Sequence, residues 1–575
     1  MLRILISSFT VIFLLTINSA LADDVVFTKI PAQLQLFPRD VQDSAIVEIS
    51  GYVQTAGFNE IGLQVYKDSS LWKEFSQTLQ YASGRAEFFF APKIHAEMSE
   101  YYFHILLDGS LIAQRDSVVC GDVYLINGQS NSHPNAITYN FSSEFCRSFG
   151  RHTNYSNYNP ADTTWGLSNG QGGCDSCLYA VGTWGLRLQE YMITEYGMPT
   201  CVLNGGSGGS SISSNLPDTS DHMNLTTTYG RLLYRATKAH VADDVKAIFW
   251  HQGESDTYSS DDSLYFARFS QLRNAWHDDY APLDRIYVFQ LHLGSCGGDG
   301  QSYLRGVQRS FKEHFPEVRV MATNGLIGHD GCHYNDDGYL QMAQWVYRLV
   351  RRDFYAASDT MNIEAPDVQA IYYVNSEQSV IYLDYDQPVI WPEDSLNASM
   401  KNYFYLDGNY GYIKSGYTIN DGYTVVLELN GSADYSKITY LPNAAYNRLP
   451  TRIYEGPWIR NERGVGALSF HELPIGSGPS TIVQHHPYSF KLEQNFPNPF
   501  NPVTRIRYQI TRTIHVKIAV YNILGEQLAT LVDEKQAAGE HSVEWNAAGF
   551  ASGVYYYRLK TGENSSQIKK LVLLK

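Results

Sequence analysis

Three short segments, far apart in the chain, hold residue types that together can carry out acyl transfer. They are Gly128-Gln129-Ser130-Asn131, Trp250-His251-Gln252-Gly253-Glu254-Ser255-Asp256 and Asp330-Gly331-Cys332-His333. Ser130 offers a hydroxyl, which is a weak nucleophile until a base takes its proton. Asp330 and His333 stand close enough for one short loop to present both. Asp330 can then hold the imidazole Nδ1–H, leaving Nε2 to deprotonate Ser130. A developing oxyanion also needs donors, each worth ~3 kcal/mol of barrier. The candidates are the Ser130 backbone N–H, a backbone N–H of Gly206 and the side-chain amide of Gln252.

Competing readings of these segments explain fewer residues. Ser130 does not stand in a G-x-S-x-G elbow. The run Gly205-Gly206-Ser207-Gly208-Gly209 lacks the Lys-Ser/Thr of a P-loop and the spacing of a dinucleotide fingerprint. Glu254 and Asp256 could be paired glycosidase carboxylates. The serine, histidine and aspartate account for more of the pattern. Glu254 then becomes a group that orients Gln252 or the glycine-rich loop.

The elements that must position these residues are legible on either side of them. Apolar runs at 123–126, 200–203, 247–250, 285–291 and 318–322 read as strands. Helical periodicity covers 183–196, 227–241, 261–279, 303–314 and 337–350. Such alternation predicts an α/β fold, a parallel sheet covered on both faces, over residues 118–354. Its site should lie at the carboxyl ends of the strands, where Ser130 and Gln252 fall. Asn335, Asp336 and Asp337 suit the cap of the last helix. Residues 132–182, rich in Asn, Ser, Tyr and Gly, break the rhythm and read as an insertion over the site. Residues 24–117 and 358–474 read as β-sandwiches, 475–487 as a linker and 488–575 as a small β domain.

Bulk properties narrow the partners. At 575 residues the chain exceeds what one core supports. A net charge of −16 argues against nucleic acid, whose phosphates need a basic surface. Residues 1–22 read as a signal peptide: Arg3, an apolar stretch at 4–17, then Ala20-Leu21-Ala22. The stretch is short for a membrane span, which needs ~20 apolar residues, although an uncleaved anchor is the other reading. No integral membrane span is expected in the mature chain. The seven cysteines are Cys120, Cys146, Cys174, Cys177, Cys201, Cys296 and Cys332. Export permits disulfides, and the odd total leaves at least one thiol outside an intrachain pair. Cys174 and Cys177 suit a local disulfide better than a metal site, since no second ligand pair stands at suitable spacing.

With these residues in view, 118–354 resembles the SGNH hydrolases, which are flavodoxin-like in fold. Within them it is similar to the sialate O-acetylesterase and acetylxylan esterase branch, carbohydrate esterase family six. Asn204-Gly205-Gly206-Ser207 is a fourth matching motif. The resemblance implies Ser130 as nucleophile, Asp330 and His333 as its acid–base pair, and Ser130, Gly206 and Gln252 around the oxyanion. It implies no metal and no organic cofactor, and an acetylated glycan as substrate. Ser132 departs from the family, which usually has Met there, and the long insertion is a second departure. Both bear on substrate identity more than on chemistry. A surface carbohydrate-binding protein with a decayed site, or an esterase for non-carbohydrate esters, are the alternatives.

The last domain resembles the type A sorting domain of the type IX secretion system. The resemblance rests on Leu492-Glu493-Gln494-Asn495-Phe496-Pro497-Asn498-Pro499-Phe500-Asn501-Pro502, on Gly553-Val554-Tyr555-Tyr556-Tyr557-Arg558, and on the terminal Lys569-Lys570-Leu571-Val572-Leu573-Leu574-Lys575. It implies a bacterial protein that the type IX machinery takes across the outer membrane, to be released or held at the cell surface.

Overall fold

A strand of 19 residues, Ser110–Gly128, carries the chain from one kind of β-sheet into another. Up to Val118 it pairs antiparallel with Tyr101–Leu107. From Asp122 it runs parallel to Thr200–Asn204 on one side, and from Val123 to Val245–His251 on the other. Its burial changes with its partners. Residues 114–117 are half-buried, and every residue from Val118 to Gly128 is buried. A strand covered on both faces needs such an unbroken run.

The computed structural model describes residues 19–575 except 133–138, 152–157, 172–177, 258–261, 295, 297–300, 395–397, 443–455, 478–490, 511–513, 537–538 and 562–564. The apolar stretch of the signal peptide, Cys174, Cys177 and most of the expected linker lie outside the described residues. The chain divides into two units. One comprises Met1–Asp256, Ser263–Tyr287 and Leu326–Thr360; the other comprises Thr257–Asp262, Val288–Gly325 and Met361–Lys575.

The first unit joins an N-terminal β region to an α/β region. In the β region, Tyr101–Leu107 alternates buried and half-buried residues, the period-two pattern of a strand with one face on a core. That core contains Val47, Leu63, Val65, Phe103 and Ile105, all without exposed surface. In the α/β region the strand order is Trp165–Leu167, Cys146–Phe149, Thr200–Asn204, Ser110–Gly128, Val245–His251. Cys146–Phe149 lies inside the segment that reads as an irregular insertion, yet it pairs parallel with Thr200–Asn204. Apolar pattern hides it because Arg147 and Ser148 are themselves fully buried. Arg147 Nη2 donates to the Ser117 carbonyl at 2.9 Å, which offsets part of its desolvation.

Helices Thr183–Tyr196, Thr228–Lys238, Asp262–Asp279 and Asp336–Tyr355 complete this region. Asn335 caps the last, its Oδ1 accepting the Gly338 N–H at 3.0 Å. Thr227 caps the second through Gly230 N–H at 2.9 Å. No helix among the described residues is long and apolar enough to cross a membrane. Cys120, Cys146 and Cys201 are free and buried, whereas Cys296 and Cys332 are disulfide-bonded.

The second unit contains helix Gln301–His314, strand Val318–Ala322 and two β regions with separate cores. The first pairs a four-stranded sheet (Val368–Tyr373, Val380–Tyr385, Thr424–Leu429, Ile413–Ile419) with a three-stranded one (Phe404–Leu406, Lys437–Tyr440, Phe470–Pro474). The last β region again has a three-stranded and a four-stranded sheet. Among the described residues, its apolar core runs from Leu492 to Leu573. The chain is thus a mixed α/β domain accompanied by β domains.

Candidate active site

Ser130 is held at the carboxyl end of the long strand by a turn that only glycine can begin. Gly128 has φ +134°, and a Cβ there would lie 2.1 Å from the His251 carbonyl oxygen. The Gln129 N–H donates to that same oxygen at 2.9 Å. Residues Ser130–Ser132 then form a single 3-10 turn. Ser130 emerges half-buried, with Asn131 and Ser132 buried behind it.

His333 Nε2 lies 2.9 Å from Ser130 Oγ. The loop that presents it is closed by Asp330. The Asp330 N–H donates to the His333 carbonyl at 2.8 Å. Asp330 Oδ1 accepts the backbone N–H groups of Cys332 at 2.8 Å and His333 at 2.7 Å. Burial would raise the Asp330 pKa, but the N–H groups of His333 and Cys332 outweigh it and keep the carboxyl below its usual value. The sequence-based expectation placed this carboxylate on the imidazole Nδ1–H. Its hydrogen bonds go instead to the backbone on which the imidazole hangs. The side chain is exposed, so its charge reaches the imidazole through a partly aqueous path.

The expected oxyanion donors line the same region, and both Gly206 and Gln252 already have protein acceptors. Gly206 N–H donates to Asn204 Oδ1 at 2.8 Å. A Cβ at Gly206 would come within 2.7 Å of Ser132 Oγ, so the position has no room for a side chain. Gln252, with no exposed surface, donates through Nε2 to Asp256 Oδ2 at 2.6 Å and to the Ser210 carbonyl at 3.1 Å. Tyr265 OH donates to Gln252 Oε1 at 3.0 Å. Asp256 also accepts the Ile212 N–H at 2.9 Å. Burial raises the Asp256 carboxyl above its ordinary value against these two hydrogen bonds.

Glu254, expected to orient Gln252 or the glycine-rich loop, accepts from Asn131. Its Oε1 is 2.8 Å from Asn131 Nδ2 and 3.8 Å from His251 Nε2. Two further histidines stand near His333 without exposure to match. Burial holds His251 down to about 3 and His329 down to about 4, so both are neutral at physiological pH. Sequence reasoning assigned no part to Gln129, whose Oε1 accepts the backbone N–H groups of Gly253 at 3.3 Å and Ser255 at 3.2 Å. Nor did it assign one to Asn131, to Asp256 beyond the glycosidase alternative, or to Tyr265 or Tyr339. The first two lie inside the quoted motifs; the tyrosines sit on helices and carry no local signal. Among the described residues no group of His, Cys, Asp and Glu is arranged to hold a metal ion.

Residues 120–351 match the family described as carbohydrate esterase, sialic acid-specific acetylesterase. Residues 494–574 match the secretion system C-terminal sorting domain. Among solved structures, a carbohydrate acetylesterase from Xanthomonas citri is similar over 78% of this chain and 99% of its own, at 15% identity and a TM-score of 0.53. At that identity the likeness concerns the fold. A protein from Arabidopsis thaliana aligns over 41% of this chain and 99% of its own, at 17% identity and a TM-score of 0.33. No curated protein matches the sequence.

Proposed function

We propose that the chain is an exported serine esterase of SGNH type that removes O-acetyl groups from carbohydrate. The observation that carries this reading is the 2.9 Å contact between Ser130 Oγ and His333 Nε2, inside the segment that matches the acetylesterase family. Ser130 Oγ attacks the acetyl carbonyl carbon while His333 Nε2 takes the hydroxyl proton. Negative charge collects on the carbonyl oxygen, which is received by the Ser130 and Gly206 N–H groups. The Gln252 amide, buried with its two N–H bonds on Asp256 and the Ser210 carbonyl, instead braces the segment beside them. Gly206 exchanges a neutral amide oxygen, Asn204 Oδ1, for an anionic one, and charge-assisted hydrogen bonds are the stronger kind. The imidazolium then protonates the departing sugar oxygen. Water, deprotonated by His333, attacks the acetyl-enzyme and releases acetate, which restores the Ser130 hydroxyl.

Asp330 holds the Cys332 and His333 N–H groups and so sets the imidazole's approach. The C-terminal domain directs the chain through the type IX machinery, to the cell surface or the medium. Deleting residues 488–575 should leave hydrolysis intact and abolish surface export; continued export would defeat that assignment.

Acetate release from a panel of acetylated glycans and from a chromogenic acetate ester tests the activity. Wild type should turn over at least one glycan, and Ser130→Ala none. Equal slow rates from both proteins would sink the reading.

A further inference from the structure

We propose that Asn131 is the positioning residue that sets the Ser130–His333 distance; this rests on the esterase reading above. Asn131 follows the nucleophile directly and is 1% exposed. Each polar atom of its side chain has a partner. Nδ2 donates to Glu254 Oε1 at 2.8 Å and to the Cys332 carbonyl at 3.0 Å. Oδ1 accepts the Tyr339 hydroxyl at 2.8 Å. Its backbone carbonyl accepts the Trp184 indole N–H at 3.1 Å. One residue thus ties the nucleophile turn to the Glu254 segment, to the His333 loop and to helices Thr183–Tyr196 and Asp336–Tyr355.

The contact with Cys332 matters most for chemistry. That carbonyl belongs to the peptide bond whose nitrogen is His333 N. Asp330 Oδ1 holds the N–H side of this peptide and Asn131 holds the C=O side. With both sides fixed, the imidazole can move only about its own side-chain torsions. Ser130, one residue before Asn131, is anchored to the same group.

The site demands two N–H donors and one acceptor on a short planar group, which asparagine alone supplies. Aspartate keeps the shape but has no donor, and it would place a second carboxylate against buried Glu254. Burial makes that pairing costly.

Turnover of a chromogenic acetate ester and labelling by a fluorophosphonate, which reports Ser130 activation whatever the natural substrate, together test the proposal. In Asn131→Ala, kcat should fall on the order of 100-fold, the effect of about 1 Å of misplacement, with KM within about twofold. Labelling should slow in proportion. Asn131→Asp should fall further. The double variant Asn131→Asp with Glu254→Gln reverses donor and acceptor across the Glu254 contact but leaves the Cys332 carbonyl without a donor, so its kcat should recover no further than that of Asn131→Ala. A purely structural role would lower the melting temperature while folded protein kept wild-type kcat and labelling, and that result would overturn the proposal. So would a double variant with wild-type kcat, since it lacks the donor to the Cys332 carbonyl. If wild type neither hydrolyses the ester beyond Ser130→Ala nor labels at Ser130, the esterase reading itself has failed, an outcome distinct from both.

Discussion

Ser130 Oγ and His333 Nε2 are 2.9 Å apart although 203 residues separate them. One stands at the end of a buried strand and the other in a loop before a capped helix. If the two act as one unit, losing either should cost nearly as much as losing both. Ser130→Ala and His333→Ala should each lower kcat/KM by on the order of 10³-fold or more, and the double variant should be no worse than the poorer single one. Additive losses, measured on the chromogenic ester, would mean that the contact is incidental.

Asp330 separates two meanings of a catalytic carboxylate. A buried aspartate bonded to Nδ1 costs ~10⁴-fold when changed to asparagine. Here the carboxylate is exposed and its Oδ1 serves the backbone. Asp330→Asn keeps an acceptor for the Cys332 and His333 N–H groups and removes only an exposed charge, worth up to about 1 kcal/mol or about fivefold. Asp330→Ala loses the loop closure too and should cost on the order of 100-fold. The kcat values should therefore rank wild type, Asn, Ala. A ~10⁴-fold loss in Asp330→Asn would restore the direct imidazole contact as the catalytic geometry.

Much of this arrangement was legible because motif and element coincide. The Ser130 and Gln252 motifs end apolar runs, and the periodicity over 183–196 matches helix Thr183–Tyr196 residue for residue. What escaped the sequence has physical causes. The strand Cys146–Phe149 is hidden by buried Arg147, a charged residue that pattern reading assigns to the surface. The long strand looked short because its first half faces a different sheet. The bond from Asn131 to Tyr339 spans 208 residues, and no local spacing could announce it. Glu254 and Asp256 share one side of the motif, and only their packing shows that Asp256 accepts from Gln252 and Glu254 from Asn131.

The two buried histidines predict an acid limit on stability. An ordinary histidine titrates at 6.5, whereas burial lowers His251 to about 3 and His329 to about 4. Below pH 6.5 the unfolded chain takes up protons that the folded chain refuses, so stability falls as pH falls. Their contribution is fully present above about pH 6.5 and is lost progressively as pH falls, down to about 4 for His329 and about 3 for His251. The slope approaches 1.4 kcal/mol per pH unit for each histidine. Denaturant melts from pH 7.5 to 4.5 should show this slope, and His329→Gln should reduce it. An unchanged slope in that variant would assign acid sensitivity to other groups.

Cys332 couples covalent structure to the catalytic loop. It is disulfide-bonded, it immediately precedes His333, and its carbonyl accepts from Asn131 at 3.0 Å. Removing the disulfide frees the loop at the point where two hydrogen bonds fix the His333 peptide. Cys332→Ser should lose about 2–4 kcal/mol of stability, the usual range for a native disulfide. Activity at a temperature where the variant remains folded should also fall, through kcat more than KM, because the base is misplaced while the substrate surface is intact. Reductant separates the local effect from a general one. Dithiothreitol should bring wild-type kcat down to that of Cys332→Ser treated with the same reductant, a comparison that cancels any effect at Cys174 and Cys177. If reduced wild type keeps full kcat while its melting temperature drops, the disulfide serves stability alone, and the two hydrogen bonds to the His333 peptide suffice to place the base.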